Sequence, residues 1–191
     1  MEIQDRTGQR SAQRALVVYE SMYGNTHRIA TAIGDGLRDG GVAATVVPVG
    51  HDDGPDLAGV DLLVVGGPTH VHGMSRESTR TAAREAAGEH EWLTLDDDAD
   101  GTGLREWLGG AELAVDAAAF DTRRHMAAVV SGRASKGIAK LLRRHGARLV
   151  VDPASFFVTD HDDLEPGEEV RAREWGAALA AAVGGRAAVA G

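Results

Sequence analysis

The sequence predicts an α/β domain, a doubly wound parallel sheet of five strands in the order 2-1-3-4-5 with helices on both faces. Three observations carry this. Ala15–Tyr19 and Leu62–Val65 are apolar throughout, as strands buried on both faces of a parallel sheet must be. Segments with apolar residues at helical spacing alternate with such runs, so successive strands are joined by crossovers. Pro48 ends the second strand and Pro153 interrupts the fifth, and a strand that lacks a ladder donor belongs at an edge.

Taken in order, the first strand, Ala15–Tyr19, is followed by a polar loop at 20–26. Ile29, Ala30, Ile33 and Leu37 then share one helical face, and Gly40-Gly41 ends that helix. Val42–Val47 is the second strand and Leu62–Val65 the third, which runs into Gly66-Gly67-Pro68. Ser75 is placed to cap a helix through about Ala87. Residues 88–103 are acidic and irregular, and the cluster Asp96, Asp97, Asp98 and Asp100 is expected to be a solvated loop; a divalent-cation site is the alternative, for which the sequence supplies no other ligands. Leu104, Trp107 and Leu108 make a short amphipathic helix stopped by Gly109-Gly110, and Leu113–Phe120 is the fourth strand. Ser135 is expected to cap a helix with Ile138, Leu141 and Leu142 inward and Arg143 and Arg144 at its negative end. The fifth strand, Arg148–Val151, resumes after Pro153 at Phe156–Val158. Pro166 opens the last helix, which carries Trp175, Leu179 and Val183 on its inner face. Residues 1–13 are expected to be a disordered lead-in and 14–186 one domain with an acidic insertion around 88–110.

At 191 residues the chain has the length of one domain, large enough to need no cross-link. It contains no cysteine, so disulfides, Cys-ligated metals and thiol catalysis are excluded. A net charge of −9 argues against nucleic acid as a partner. No apolar run approaches the ~20 residues of a membrane span. The first thirteen residues carry no apolar core of a secretory signal, so a cytoplasmic location is expected.

The first βα junction runs Tyr19-Glu20-Ser21-Met22-Tyr23-Gly24-Asn25-Thr26-His27-Arg28. It has neither the dinucleotide fingerprint nor the Gly-Lys-Ser/Thr of a Walker loop. It does offer hydroxyls at Ser21, Tyr23 and Thr26, an amide at Asn25, and Gly24 for close backbone approach, all where a helix begins. Free N–H groups at that point favour an anion. The alternative is a plain turn in which Asn25 or Thr26 caps the helix. In the predicted order two loops lie beside this one: Gly67-Pro68-Thr69-His70-Val71-His72-Gly73-Met74 and Phe120-Asp121-Thr122-Arg123.

These three loops resemble those of the flavodoxin-like family, and the resemblance spans about residues 14–184. Ser21–Thr26 is similar to the family's Ser/Thr-x-Thr/Tyr-Gly-Asn-Thr pattern, with Tyr at 23 as in its FMN-dependent quinone-reductase branch. Gly67–His70 looks like the family's second loop. The resemblance implies FMN as cofactor. Ser21, Tyr23, Asn25 and Thr26, with the backbone of Met22 and Gly24, would hold its phosphate. Pro68, Thr69, His70, Val71, His72 and Gly73, with Asp121, Thr122 and Arg123, would frame its ring. Asp121 would accept from a ring N–H or serve as a turn acid, and Arg123 would pair with surface acids or face a reduced flavin.

The second and third loops lack the Trp or Tyr that stacks on the ring in flavodoxins. His70, Val71, His72 and Met74 would have to serve, so FMN is expected to bind more weakly than in an electron carrier. The implied activity is electron transfer to a partner protein or reduction of a small acceptor such as a quinone. The acidic balance suits a basic partner. A flavin-free binding or scaffold protein on the same fold is the alternative, and a phosphate-ester hydrolase a third reading. His70-x-His72 is not expected to hold a metal, because alternate residues of an extended chain face opposite ways and no third ligand lies nearby. Lys136 sits at a helix start, where a cation is poorly placed, which hints at contact with a ligand anion. Oligomeric state stays open.

Overall fold

Strand β1 (Arg14–Tyr19) is followed by helix α1 (Asn25–Asp39), β2 (Ala43–Pro48) and β3 (Leu62–His70). Next come the short β4 (Gly73–Met74), α2 (Glu77–Glu89) and α3 (Leu104–Gly110). The chain closes with β5 (Asp116–Arg124), α4 (Ala134–Arg144), β6 (Arg148–Leu149), β7 (Ala154–Val158) and α5 (Glu168–Ala187). The computed structural model describes residues 12–50, 55–70, 73–90, 92–125 and 132–187.

The sheet runs β2-β1-β3-β5-β6, with every neighbouring pair parallel. β7 also pairs with β5, beyond β6, so β6 and β7 are one edge strand broken at 150–153 around Pro153. With that strand counted once, the order is the 2-1-3-4-5 expected, and Pro48 and Pro153 belong to its two edge strands. β4 turns back antiparallel on the end of β3.

The apolar runs are continuous because each strand feeds two cores. Val17, Tyr19, Val64 and Phe120 pack against Ile29, Ile33 and Leu37 of α1 and Leu179 of α5. Val18, Leu63, Val65 and Ala119 face Leu104 and Leu108 of α3 and Ile138 and Leu142 of α4. Each fully buried aliphatic side chain of this set contributes about 1.5–3 kcal/mol. α1 and α5 cross at glycines: a Cβ on Gly36 would lie 1.9 Å from the Arg173 carbonyl oxygen, and one on Gly176 2.2 Å from that of Ile33. Gly66 likewise leaves room for the Phe120 ring, 2.1 Å from where its Cβ would stand.

Several local expectations are corrected. The fourth strand starts at Asp116 and continues to Arg124, because Leu113 is held outside the ladder by its N–H to the His145 carbonyl. Neither Ser75 nor Ser135 is an N-cap. Arg76 and Arg133 occupy those positions, and the Ser75 hydroxyl instead accepts from Arg80 Nη1 at 3.3 Å. The acidic segment is solvated only in part: Asp97 and Asp100 are exposed, but Asp96 and Asp98 are not. Leu93 and Ala99 are buried, and the Asp96 N–H donates to the Met22 carbonyl at 2.8 Å, which lays the segment on the first loop. No helix among the described residues is long and apolar enough to cross a membrane.

Candidate functional site

The first loop is built around one tight turn. Its entry is tied to β3 by the Glu20 N–H on the Gly66 carbonyl, 3.0 Å. Ser21 Oγ then accepts from the Gly24 N–H at 3.1 Å, and Gly24 adopts φ +85, a conformation glycine reaches without penalty. α1 starts at the next residue. No side chain caps it, so its first N–H groups and the positive end of its dipole remain for another partner.

Three loops meet at the carboxyl ends of β1, β3 and β5 around a cavity of about 530 Å³. Met22, Tyr23, Asn25 and Thr26 line it from the first loop. Pro68, Thr69 and His70 line it from the second, and Thr122 and Arg123 from the third. Ser21, Gly24 and Gly73 are not among the lining residues. Val71 and His72 lie outside the described residues.

The flavodoxin family model matches residues 17–115, just over half of the chain. The chain belongs to the flavodoxin family. No curated protein sequence matches it. Among solved structures it is similar to a flavodoxin from the domain Archaea, at 20% identity over 90% of this chain and 99% of that one, TM-score 0.58. It is similar to the flavodoxin of Streptococcus pneumoniae TIGR4 at 19% identity over 88% and 98% of the two chains, TM-score 0.60. It also resembles the flavodiiron protein of Giardia intestinalis, at 20% identity and TM-score 0.57, covering 92% of this chain and 37% of that one. At these identities the likeness is one of fold. Family membership implies a flavin cofactor and electron transfer.

In this flavodoxin-family protein the loop side chains divide into those engaged elsewhere and those with capacity left. Tyr23 is turned away, its hydroxyl donating to the Ala83 carbonyl at 2.9 Å, so only its ring serves the cavity. The Asn25 amide donates to the Asp162 carbonyl. Thr26 and Thr122 share one hydrogen bond of 2.7 Å between their hydroxyls; one proton lies in that bond and the other is left for a third group. Together with the uncapped helix start, that is a donor set suited to an anion.

Asp121 is not among the residues lining the cavity, and among the described residues only one of its two carboxylate oxygens is engaged. It is fully buried, and Oδ2 accepts from the Ser135 N–H at 2.8 Å and from the Thr69 hydroxyl at 3.2 Å. It thus fastens the start of α4 and the second loop to β5 from below. Met74 is likewise a core residue packed in the α3–α4 layer, not a ring contact. Lys136 is exposed and outside the cavity.

Burial lowers the His70 pKa; the Glu20 charge opposes this and Arg80 reinforces it, so the imidazole is neutral near pH 7. Its Nε2 is buried without a hydrogen-bond partner among the described residues. Burial raises the Asp162 pKa, against the pull of Arg124, whose guanidinium lies 4.0 Å away. Arg123 stands over the Phe157 ring at 4.8 Å. Ser78, Thr79, Ala82, Ala83, Arg124, Val158 and Asp162 complete the wall and were missed in the sequence. The adjacent Arg123-Arg124 pair was a usable signal for one of them; nothing local marks Asp162.

A flavin fits what is present. The cavity lies within the roughly 300–1,000 Å³ of small-molecule sites. Its orphaned imidazole nitrogen and uncapped helix start are polar groups awaiting a ligand. Among the described residues, Tyr23 and His70 supply its only aromatic rings.

Proposed function

We propose that the chain holds FMN in this cavity and passes electrons to a basic protein partner. The uncapped start of α1, opening on a 530 Å³ cavity at the ends of three parallel strands, is the observation that carries this reading. The phosphate would sit on the N–H groups around residues 24–27, within reach of the Ser21 and Thr26 hydroxyls. Pro68, Thr69 and His70 would border one side of the ring, and Thr122 and Arg123 the other. FMN supplies the one- and two-electron chemistry; the protein supplies position and electrostatics. A neutral His70 offers a hydrogen-bond partner without adding charge, while Arg123 and Arg124 lend positive potential to the rim. Reduction of a small acceptor such as a quinone is the second reading. The net charge of −9 favours the protein partner, since complementary charge accelerates docking.

The test is a titration of purified protein with FMN, followed by flavin fluorescence, with riboflavin as control. Saturable FMN binding with riboflavin much weaker is expected. Equal binding of both would move the recognition to the ring loops, and binding of neither would favour a flavin-free protein on this fold. Consumption of NAD(P)H with a quinone present would favour the reductase over the carrier.

A further inference from the structure

We propose that His27, Asp96 and Asp98 form a binding site for one divalent transition-metal ion, Zn²⁺ by chemistry, on the outer side of the first loop. His27 lies in the first turn of α1, one residue past Thr26. The segment after α2 carries the two acids to it. His27 Nδ1 stands 3.5 Å from Asp96 Oδ2 and 3.8 Å from Asp98 Oδ2. One ligand atom from each residue lies within 4.8 Å of the other two. Two ligands about 2.1 Å from one ion at the tetrahedral angle stand about 3.4 Å apart, so the spacing suits a shared ion with little movement.

Hydrogen bonding alone does not satisfy this cluster. The Asp96 side chain is 6% exposed, and its Oδ2, which faces His27, has no hydrogen-bond partner among the described residues. Its other oxygen does, accepting from the Asp98 N–H at 3.2 Å. A buried carboxylate oxygen left without a donor or cation is costly.

The surroundings are arranged as an outer shell would be. The His27 ring stacks on Tyr19, centroids 4.6 Å apart and planes at 19°, which fixes its orientation. The Tyr19 hydroxyl donates to Asp98 Oδ2 at 2.6 Å. An imidazole beside two carboxylates selects Zn²⁺ and its neighbours over Mg²⁺ and Ca²⁺, which take oxygen ligands. Three protein ligands leave a fourth position for water. None of the three residues lines the flavin-sized cavity, so the site stands whether or not FMN binds there. An ion here would clasp the acidic segment to the start of α1.

The experiment is a titration of chelator-treated protein with Co²⁺, read by its visible bands, followed by displacement with Zn²⁺. One equivalent per chain with the intense bands of tetrahedral Co²⁺, displaced by Zn²⁺, is expected. His27→Ala and Asp96→Asn should each weaken Zn²⁺ binding at least about tenfold, and Tyr19→Phe by about 10–100-fold. His145→Ala should leave it unchanged. Circular dichroism verifies that each variant is folded, and His27 is half exposed, so its truncation removes little packing. No saturable binding, a purely octahedral Co²⁺ spectrum, or unaltered affinity in His27→Ala would each overturn the proposal.

Discussion

The hydroxyls of Thr26 and Thr122 meet at 2.7 Å and tie the first turn of α1 to the end of β5. One hydroxyl proton remains unspent in that pair, at the point where the uncapped helix opens on the cavity. Thr26→Val keeps the shape and removes the proton. Losing one hydrogen bond to a charged group costs about 1.5–3 kcal/mol, so FMN affinity should fall about 10- to 100-fold. Riboflavin, which lacks the phosphate, should be unaffected. Parallel fluorescence titrations of the two ligands check this, and an equal loss for both would place the effect on the ring.

Asp121 is the anchor of the second and third loops. Asp121→Ala leaves the buried Ser135 N–H and the Thr69 hydroxyl without their acceptor. A loss of about 2–4 kcal/mol is expected from these two charge-assisted bonds. Asp121→Asn, which keeps an acceptor, should lose less. Urea unfolding midpoints decide it, and an Ala variant within about 0.5 kcal/mol of the unaltered chain would contradict this role.

Glycine-to-alanine changes inside helices ordinarily stabilise by about 1 kcal/mol. Gly88→Ala should behave so, because nothing outside its own helix backbone lies within 4 Å of the added Cβ. Gly36→Ala should reverse the sign. Its Cβ would stand 1.9 Å from the Arg173 carbonyl oxygen, a rigid backbone atom of α5, so the two helices must separate at a cost of about 1–3 kcal/mol. Paired thermal melts test the contrast; for a chain of this length each 1 kcal/mol moves Tm by about 2–4 °C.

His70 makes stability depend on pH. Burial lowers its pKa in the folded protein, so below about 6.5 the unfolded chain binds a proton that the folded one refuses. The stabilisation is complete above pH 6.5 and is lost as pH falls from there through the folded-state pKa. Asp162 acts in the opposite sense. Its pKa is raised, so the folded form binds the extra proton, and that contribution fades as pH climbs from about 3.8 through its folded value. Subtracting the unfolding profile of His70→Asn from that of the unaltered chain isolates the histidine. The difference should grow as pH drops below 6.5; a flat difference would contradict a buried neutral imidazole.

Much of the frame was legible locally. β1 and β3 declare themselves because Ala15–Val18 and Leu62–Val65 are buried on both faces, which leaves no polar residue in those runs. α1 is legible because Ile29, Ile33 and Leu37 repeat at helical spacing and all end fully buried. The broken edge strand announces itself through Pro153. The three loops at the carboxyl ends were locatable because strand order follows from those elements. The states of their side chains were not, and Tyr23, Asp121 and Met74 each took a partner that periodicity does not reveal.

What the sequence determined by itself is therefore the layering: which segments are strands, which faces are apolar, and which junctions gather at one end of the sheet. Those properties depend on neighbours within about a turn or a pleat. The tertiary structure alone decided that Tyr19 bonds to Asp98, that Thr26 meets Thr122, and that Asp96 of the acidic segment is tied to the first loop. These contacts join residues far apart in the chain and form only once the sheet has assembled. Their signs and partners are set by burial, which no local pattern of charge encodes.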